Sequence, residues 1–210
     1  MAAGAIAVCA QGTGDGLEAL EGVTALVAEL RPGRVLALVP LAASSERETG
    51  ALAERLRGAE WLVGISAPRR QPGLLHEAVR EAMLLAELAG TPETFAGQEE
   101  TYRLLIGVLL RDPAELEQLR ASTISPLLAY DAEHATELLV TLGTFLAHHG
   151  STTETAEAMQ LHRHTVGYRL SRVQEVSGLS PYESDGRERL SLGLKAAQIL
   201  AAQERLSQPG

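Results

Sequence analysis

GSTTETAEAMQLHRHTVGYRLSRVQEVSG, residues Gly150 to Gly178, is the stretch whose reading decides the fold of the C-terminal half. Ser151 with Glu154 three residues later makes the pattern of a capping box, in which the hydroxyl takes a backbone N–H of the first turn and the carboxylate reaches back to the cap. A short helix is therefore expected from Thr152, with Ala156 and Met159 on one face, running out near Gln160 before Leu161 anchors a turn. From His162 to Val176 the residues Val166, Leu170 and Val173 recur at spacings of four and three, which puts them in one buried stripe on a helix of about four turns. At about 100° per residue, His164, Tyr168 and Arg172 point away from that stripe, Thr165 and Arg169 lie on one flank, and Arg163 stands in the exposed first turn. Between Gln160 and Gln174 there are three arginines, two histidines and no acid, a local reversal of sign in a chain of net charge −9.

Two helices across a tight turn, the second basic on its outer face, make a helix-turn-helix. A recognition helix needs long donors in its first turns for base edges and further arginines along its length for phosphates. Arg grips a guanine edge with two hydrogen bonds, and Thr or His adds a single contact. On this reading Ser151 and Thr152 dock the module on the DNA backbone, and Arg163, His164 and Thr165 face base edges. Tyr168, Arg169 and Arg172 support phosphate or groove contact, and His162 belongs to the same surface. The plainer alternative is an amphipathic helix with a solvated basic face.

The run LHRHTVGYRL, with LLVTLGTFLAHHGSTTETAEAM before it and SRVQEVSGL after it, resembles the C-terminal helix-turn-helix of the PucR/CdaR family of bacterial transcriptional regulators. The resemblance rests on Leu161, His162, Arg163, Thr165, Tyr168, Arg169 and Leu170. The chain departs from the family at His164, where Asn is usual, and at Gly167, where Arg is common. The glycine costs about 1 kcal/mol of helix propensity and removes one phosphate contact. The resemblance implies a sequence-specific DNA-binding regulator of transcription whose partner is double-stranded operator or promoter DNA. Paired half-sites would call for a homodimer. An interaction or dimerisation module that has kept the fold and lost DNA binding is the alternative, which Gly167 and the acidic balance would suit.

With 210 residues the chain has room for one large or two small domains. Its acidity argues against coating nucleic acid by overall charge, and leaves room for one basic face. The single cysteine, Cys9, excludes an internal disulfide and reads as a small buried hydrophobe. The opening MAAGAIAVCAQG lacks the basic start and longer apolar core of a signal peptide, and no apolar run approaches the ~20 residues of a membrane span. A cytoplasmic protein without a membrane partner is expected.

In order, Ala5–Cys9 reads as a buried strand, followed by the turn-rich QGTGDG and a helix from about Leu17 to Leu30, ended by Arg31-Pro32-Gly33. RVLALVPL, Arg34–Leu41, is a second strand and about Arg47–Arg57 a helix. EWLVGIS, Glu60–Ser66, is a third strand. A helix from about Leu74 to Leu88 has Leu75, Val79, Met83 and Ala86 among its buried candidates. The expected fold class is thus α+β, a small α/β domain over residues 1–90 followed by an all-α domain. GRVLALVP, WLVGIS and the order of elements resemble the GGDEF-like domain that precedes the helix-turn-helix in CdaR-type members. The Gly-Gly-acid-Glu-Phe turn with which diguanylate cyclases hold metal and nucleotide is missing, which implies a degenerate domain used for packing or dimer contact. Family members usually carry a larger N-terminal sensory domain. This chain begins at the GGDEF-like part, which implies a fragment or a short variant.

Thr91-Pro92 to Gln98 reads as polar linker within a helical connection over residues 91–125, holding helices at about Glu99–Leu110 and Pro113–Arg120, the second capped by Asp112. SPLLAYD, Ser125–Asp131, then leads into a helix capped by Asp131 with the stripe Ala135, Leu138, Leu139, Leu142, Phe145 and Leu146. In the family such a phrase opens the DNA-binding module, here residues 126–206. After the loop LSPYESDG a last helix from Arg187 to Leu206 carries Leu190, Leu194, Ala197 and Leu200 or Ala201 on one side.

Three rival chemistries fit poorly. Gly12, Gly14 and Gly16 could cradle phosphate, but the place of a third fingerprint glycine is held by Leu17 and no acid ends the second strand. His148 and His149 project about 100° apart, His162 and His164 about 200° apart, and no cysteine or acid cluster completes a metal tetrahedron. No nucleophile with a base, and no paired carboxylates, suggest an enzyme. No catalytic residue, cofactor or metal is therefore expected, and no residue pattern names an effector.

Overall fold

The structure, a computed structural model, describes residues 4–14, 18, 20, 25–42, 45–90 and 99–207. The chain divides into two compact units, Met1–Leu110 with Ala202–Gly210, and Arg111–Ala201.

The first unit holds β1 (Ala5–Gln11), β2 (Leu26–Arg31), β3 (Arg34–Pro40), α1 (Ser45–Gly58), β4 (Leu62–Ile65), α2 (Leu75–Ala89) and α3 (Glu99–Arg111). The four strands form one sheet in the order β2-β3-β1-β4, and every neighbouring pair is antiparallel. β3 and β4 therefore run parallel on either side of β1, joined through α1, which is a split βαβ arrangement.

Side chains alternate along a strand, so β1 sends Val8 and Ala10 to one face and Ala7 and Cys9 to the other. The first face packs with Val35, Ala37 and Val39 of β3 and Leu52, Ala53 and Leu56 of α1. The second packs Leu36 against Ala78, Ala82 and Ala86 of α2. Burial on both faces is why these strands read as unbroken apolar runs. Cys9 is completely enclosed, and burial, the largest influence on it, pushes its thiol up to about 11. It behaves as an inert small hydrophobe. On α2, Ala86 is buried as expected, while Leu75, Val79 and Met83 are half-buried, and Ala78, Glu81, Ala82, Leu84, Leu85 and Leu88 are the other buried positions. Buried Glu81 accepts hydrogen bonds from Arg69 (2.8 Å), Arg103 of α3 (2.6 Å) and the Ala67 N–H (3.0 Å), so its charge is fully engaged.

The second half of the helix expected from about Leu17 to Leu30 is strand β2, paired with β3. Of its first half, residues 17, 19 and 21–24 lie outside the described residues. The cause lies in Pro32-Gly33. Gly33 has φ of 75°, so the pair that reads as a helix stop is a hairpin turn joining Arg31 to its partner Arg34. The glycine-rich loop after β1 has a packing explanation. A Cβ on Gly12 would stand 2.7 Å from the Trp61 indole, so Gly12 is flat to admit that ring. Gly16 and the linker Thr91-Pro92 to Gln98 lie outside the described residues.

The second unit is helical: α4 (Pro113–Thr123), α5 (Ser125–His134), α6 (Leu138–Ala147), α7 (Thr152–Ala158), α8 (Arg163–Ser177) and the part of α9 (Ser184–Ser207) up to Ala201. Asp112 caps α4 by accepting the Ala114 N–H at 3.0 Å. The phrase SPLLAYD is itself helix α5, with Pro126 in its first turn, and does not merely lead into a helix. Ala135 ends α5 in a left-handed conformation (φ 52°). Asp131 nevertheless caps the next helix across that turn, accepting the N–H groups of Leu138 (2.8 Å) and Leu139 (3.0 Å) and the Thr136 hydroxyl (2.5 Å). The stripe on α6 holds at Leu138, Leu142 and Phe145, while Ala135 is exposed in the turn. On α9, Leu190 is buried and Leu194, Ala197, Leu200 and Ala201 are half-buried. Ala196, Ile199 and Ala202 are the fully covered positions further along the helix.

Candidate nucleic-acid interface

The two helices that would grip DNA are held by a small apolar centre. Phe145 of α6, Ala156 of α7, and Val166 and Leu170 of α8 are buried together with Leu161 packed against them. Val173 continues the stripe into a second cluster with Ile124, Leu127, Leu142 and Leu190. The stripe of spacing four and three thus faces inward, and the basic face of α8 is turned out.

Ser151 starts α7: its hydroxyl accepts the Glu154 N–H at 3.3 Å. The Glu154 carboxylate stands 3.6 Å from His148 Nδ1. Helix α7 stops at Ala158, and the chain turns through Gln160 in a left-handed conformation (φ 54°). His162 then caps α8, its Nδ1 accepting the His164 N–H at 3.3 Å. Because His162 precedes the helix, its ring folds back on His164, with centroids 5.1 Å apart and planes 24° apart, in place of the opposed directions expected from helical spacing.

The remaining candidates divide by their partners. Arg163, His164, Thr165 and Tyr168 are exposed, and Thr152 is half-buried. Among the described residues Arg163 is paired with no acid. Arg169 is mostly covered: it donates to Glu137 (3.0 Å) and the Thr141 hydroxyl (3.2 Å), tying α8 to the start of α6. Arg172 pairs with Glu175 at 2.5 Å and with the Tyr168 hydroxyl at 3.3 Å. Its guanidinium lies 5.9 Å from the Tyr130 ring centre and 5.7 Å from that of Tyr168. The Tyr168 hydrogen bond and the Glu175 charge together hold Arg172 more firmly protonated than usual. Periodicity located both arginines on the helix, with Tyr168 and Glu175 one turn from Arg172, and could not show Glu137, Thr141 and Tyr130, which come from other elements.

An open cleft of about 450 Å³ gathers the outward face. Thr152 and Thr153 of α7 line one wall, Arg163, His164, Gly167, Tyr168 and Ser171 of α8 another, and Tyr182 closes it. Thr153, Ser171 and Tyr182 were not legible as site residues. Thr153 directly follows candidate Thr152 and Ser171 falls one helical turn after Tyr168, neither carrying a charge, and Tyr182 lies in a loop with no period. Gly167 opens the cleft floor, since a Cβ there would have nothing within 4 Å. Among the described residues no group of three or more His, Cys, Asp or Glu is placed to hold a metal ion. No described helix is long and apolar enough to cross a membrane.

Comparison with known proteins bears on the same region. Residues 138–196, from the start of α6 into α9, match the PucR C-terminal helix-turn-helix domain. A protein of Thermomonospora curvata, described as an uncharacterized protein in the pkwA 5′ region, is 31% identical over 148 residues, which cover 68% of this chain and 77% of that protein. The crystal structure of a regulator of polyketide synthase expression from Bifidobacterium adolescentis aligns over 98% of this chain and 82% of its own, at 19% identity and a TM-score of 0.40. With its two short helices, left-handed turn and basic outward helix inside the matched span, the chain belongs to the family of proteins that carry the PucR C-terminal helix-turn-helix domain.

Proposed function

We propose that this protein is a sequence-specific DNA-binding transcriptional regulator of the PucR/CdaR type, acting as a homodimer on duplex operator DNA in the cytoplasm. The observation that carries the reading is the first turn of α8. There, Arg163, His164 and Thr165 project into solvent from a helix whose opposite side is buried. In an acidic chain, such a cationic turn at the mouth of a helix-turn-helix suits a base edge flanked by phosphates. Ser151 and Thr152 at the start of α7 serve the backbone, and His162 sets the entry of α8. Tyr168, Arg169 and Arg172 take supporting roles, the two arginines mainly by fixing α8 in place through Glu137, Thr141 and Glu175.

In this reading residues 126–206 bind DNA, 91–125 connect, and 1–90 are a degenerate GGDEF-like domain used for packing or dimer contact rather than catalysis. The split βαβ sheet supports that assignment, as does the β2–β3 hairpin, whose turn is Arg31-Pro32-Gly33-Arg34 and offers no acid for a metal. Arg163→Ala tests the site. It should cost about 1–3 kcal/mol on the preferred duplex and relax preference at one base pair; an equal loss on every sequence would rule out base reading. The engagement of Arg169 and Arg172 within the protein favours a second reading, an interaction module without DNA affinity. That reading predicts weak duplex binding insensitive to salt, because only real phosphate contacts release counterions.

A further inference from the structure

Tyr182 lies outside both helices of the helix-turn-helix, in the short connection between α8 and α9. Its ring meets the enclosed Phe145 edge-on, with centroids 5.6 Å apart and planes 75° apart. The connection is tightly built: a Cβ on Gly186 would stand 2.2 Å from the Ser180 carbonyl, and the Arg187 N–H bonds to the Glu183 carbonyl at 2.9 Å. A ring seated on a core residue in a closed loop has few orientations. Tyr182 is nevertheless 48% exposed, and it forms one side of the cleft shared with Thr153, Arg163 and Ser171. The lining offers hydroxyls from α7, from α8 and from this loop, together with a guanidinium and an imidazole, and contains no carboxylate. The Ser171 hydroxyl already donates to the Gly167 carbonyl at 3.0 Å; the remaining neutral and cationic donors around this acid-free hollow fit a phosphodiester oxygen, which accepts from all of them. A cleft meant for a cation or a basic peptide would need an acid in its wall. The floor is open because Gly167 carries no side chain.

We propose that Tyr182 donates its phenolic hydrogen to a backbone phosphate of bound DNA, seated in this cleft, so that the α8–α9 connection is a third contact element beside the two helices. This rests on the DNA-binding reading above. Phosphate contacts set register and affinity without reading sequence, so the contribution is uniform across DNA sequences.

The test is Tyr182→Phe in the full chain, which removes the hydroxyl and keeps the ring on Phe145. Affinity is measured for the preferred duplex and for a scrambled one. The expected result is about 5- to 10-fold weaker binding to both, with the ratio between them and the thermal midpoint unchanged. With a single neutral methylphosphonate moved position by position through the preferred duplex, the native protein should weaken at every contacted phosphate, and at one phosphate per half-site the loss should be smaller for Tyr182→Phe. Native protein that binds in a salt-dependent way while Tyr182→Phe binds equally well overturns the contact and leaves the regulator reading standing. A loss that tracks a fall in thermal midpoint makes Tyr182 a packing residue and also overturns it. Absence of duplex binding by the native protein removes both readings together.

Discussion

Asp131→Ala is the substitution whose cost can be worked most fully from the geometry. The carboxylate sits near the end of α5 and reaches across the Ala135 turn to the Leu138 and Leu139 N–H groups, the first orphan donors of α6, and to the Thr136 hydroxyl. Loss of a side-chain cap costs about 1 kcal/mol in a typical helix. Leu138 is almost wholly buried, so its N–H finds no water and adds a desolvation cost of about 1–2 kcal/mol. Leu139 is half-buried and recovers part of its loss from solvent. The expected total is about 2–3 kcal/mol, a large share of the ~5–15 kcal/mol that holds a domain folded. Urea unfolding followed by helical circular dichroism should show the midpoint of the helical unit fall by about 1 M at unchanged slope. Asp131→Asn keeps one acceptor oxygen and should lose about half as much. A shift under ~0.5 kcal/mol for alanine, or an asparagine as damaging as alanine, would refute the reasoning, since the three hydrogen bonds would then carry no net weight. The same end of α6 also supplies Glu137 and Thr141, which hold Arg169 of α8.

Two glycines should respond to alanine with opposite signs. Gly64→Ala places a Cβ 2.1 Å from the Ala82 carbonyl and 2.4 Å from the Ala86 N–H, forcing α2 off the sheet at a cost of about 2–3 kcal/mol, to be read by thermal unfolding. Gly167→Ala meets nothing within 4 Å and should stabilise α8 by about 0.5–1 kcal/mol by the same assay. Lys195 is buried, bonded to the Ser191 hydroxyl at 2.7 Å, and burial lowers its pKa. Between its folded pKa and the ordinary lysine value the unfolded chain binds more protons, so stability should rise with alkaline pH as the buried charge is lost. Lys195→Met should remove that rise and add on the order of 1 kcal/mol at neutral pH; an unchanged midpoint would show that the charge is well compensated.

The helix-turn-helix was legible because its stripe, Val166, Leu170 and Val173, is set by one helix's own period, and its boundaries by local chemistry at Ser151 and Gly178. Cap residues act within a few positions of themselves, so Asp112 and Ser151 were readable. Asp131 was readable as a cap, yet misplaced at the start of its helix, because the six residues between it and Leu138 finish one helix and form a turn that only tertiary packing fixes. Strand β2 was hidden for a related reason. LVAELR has no strict alternation and all six residues are exposed at the edge of the sheet, so only pairing with β3 marks it as a strand. At the site, sequence supplied the identity and face of Arg169 and Arg172. It could not supply Glu137 and Thr141, 32 and 28 residues away along the chain. Tyr182 is likewise brought to the cleft by the packing of α6, α8 and α9 on one another.

The central claim is that α8 reads duplex DNA. Selection of binders from a randomised duplex library at two salt concentrations, with sequencing of the retained DNA, tests it most directly. The account predicts an enriched motif of paired half-sites, bound more weakly at the higher salt in proportion to the phosphates contacted. Folded, dimeric protein that retains DNA without sequence enrichment, or with an affinity indifferent to salt, would contradict it.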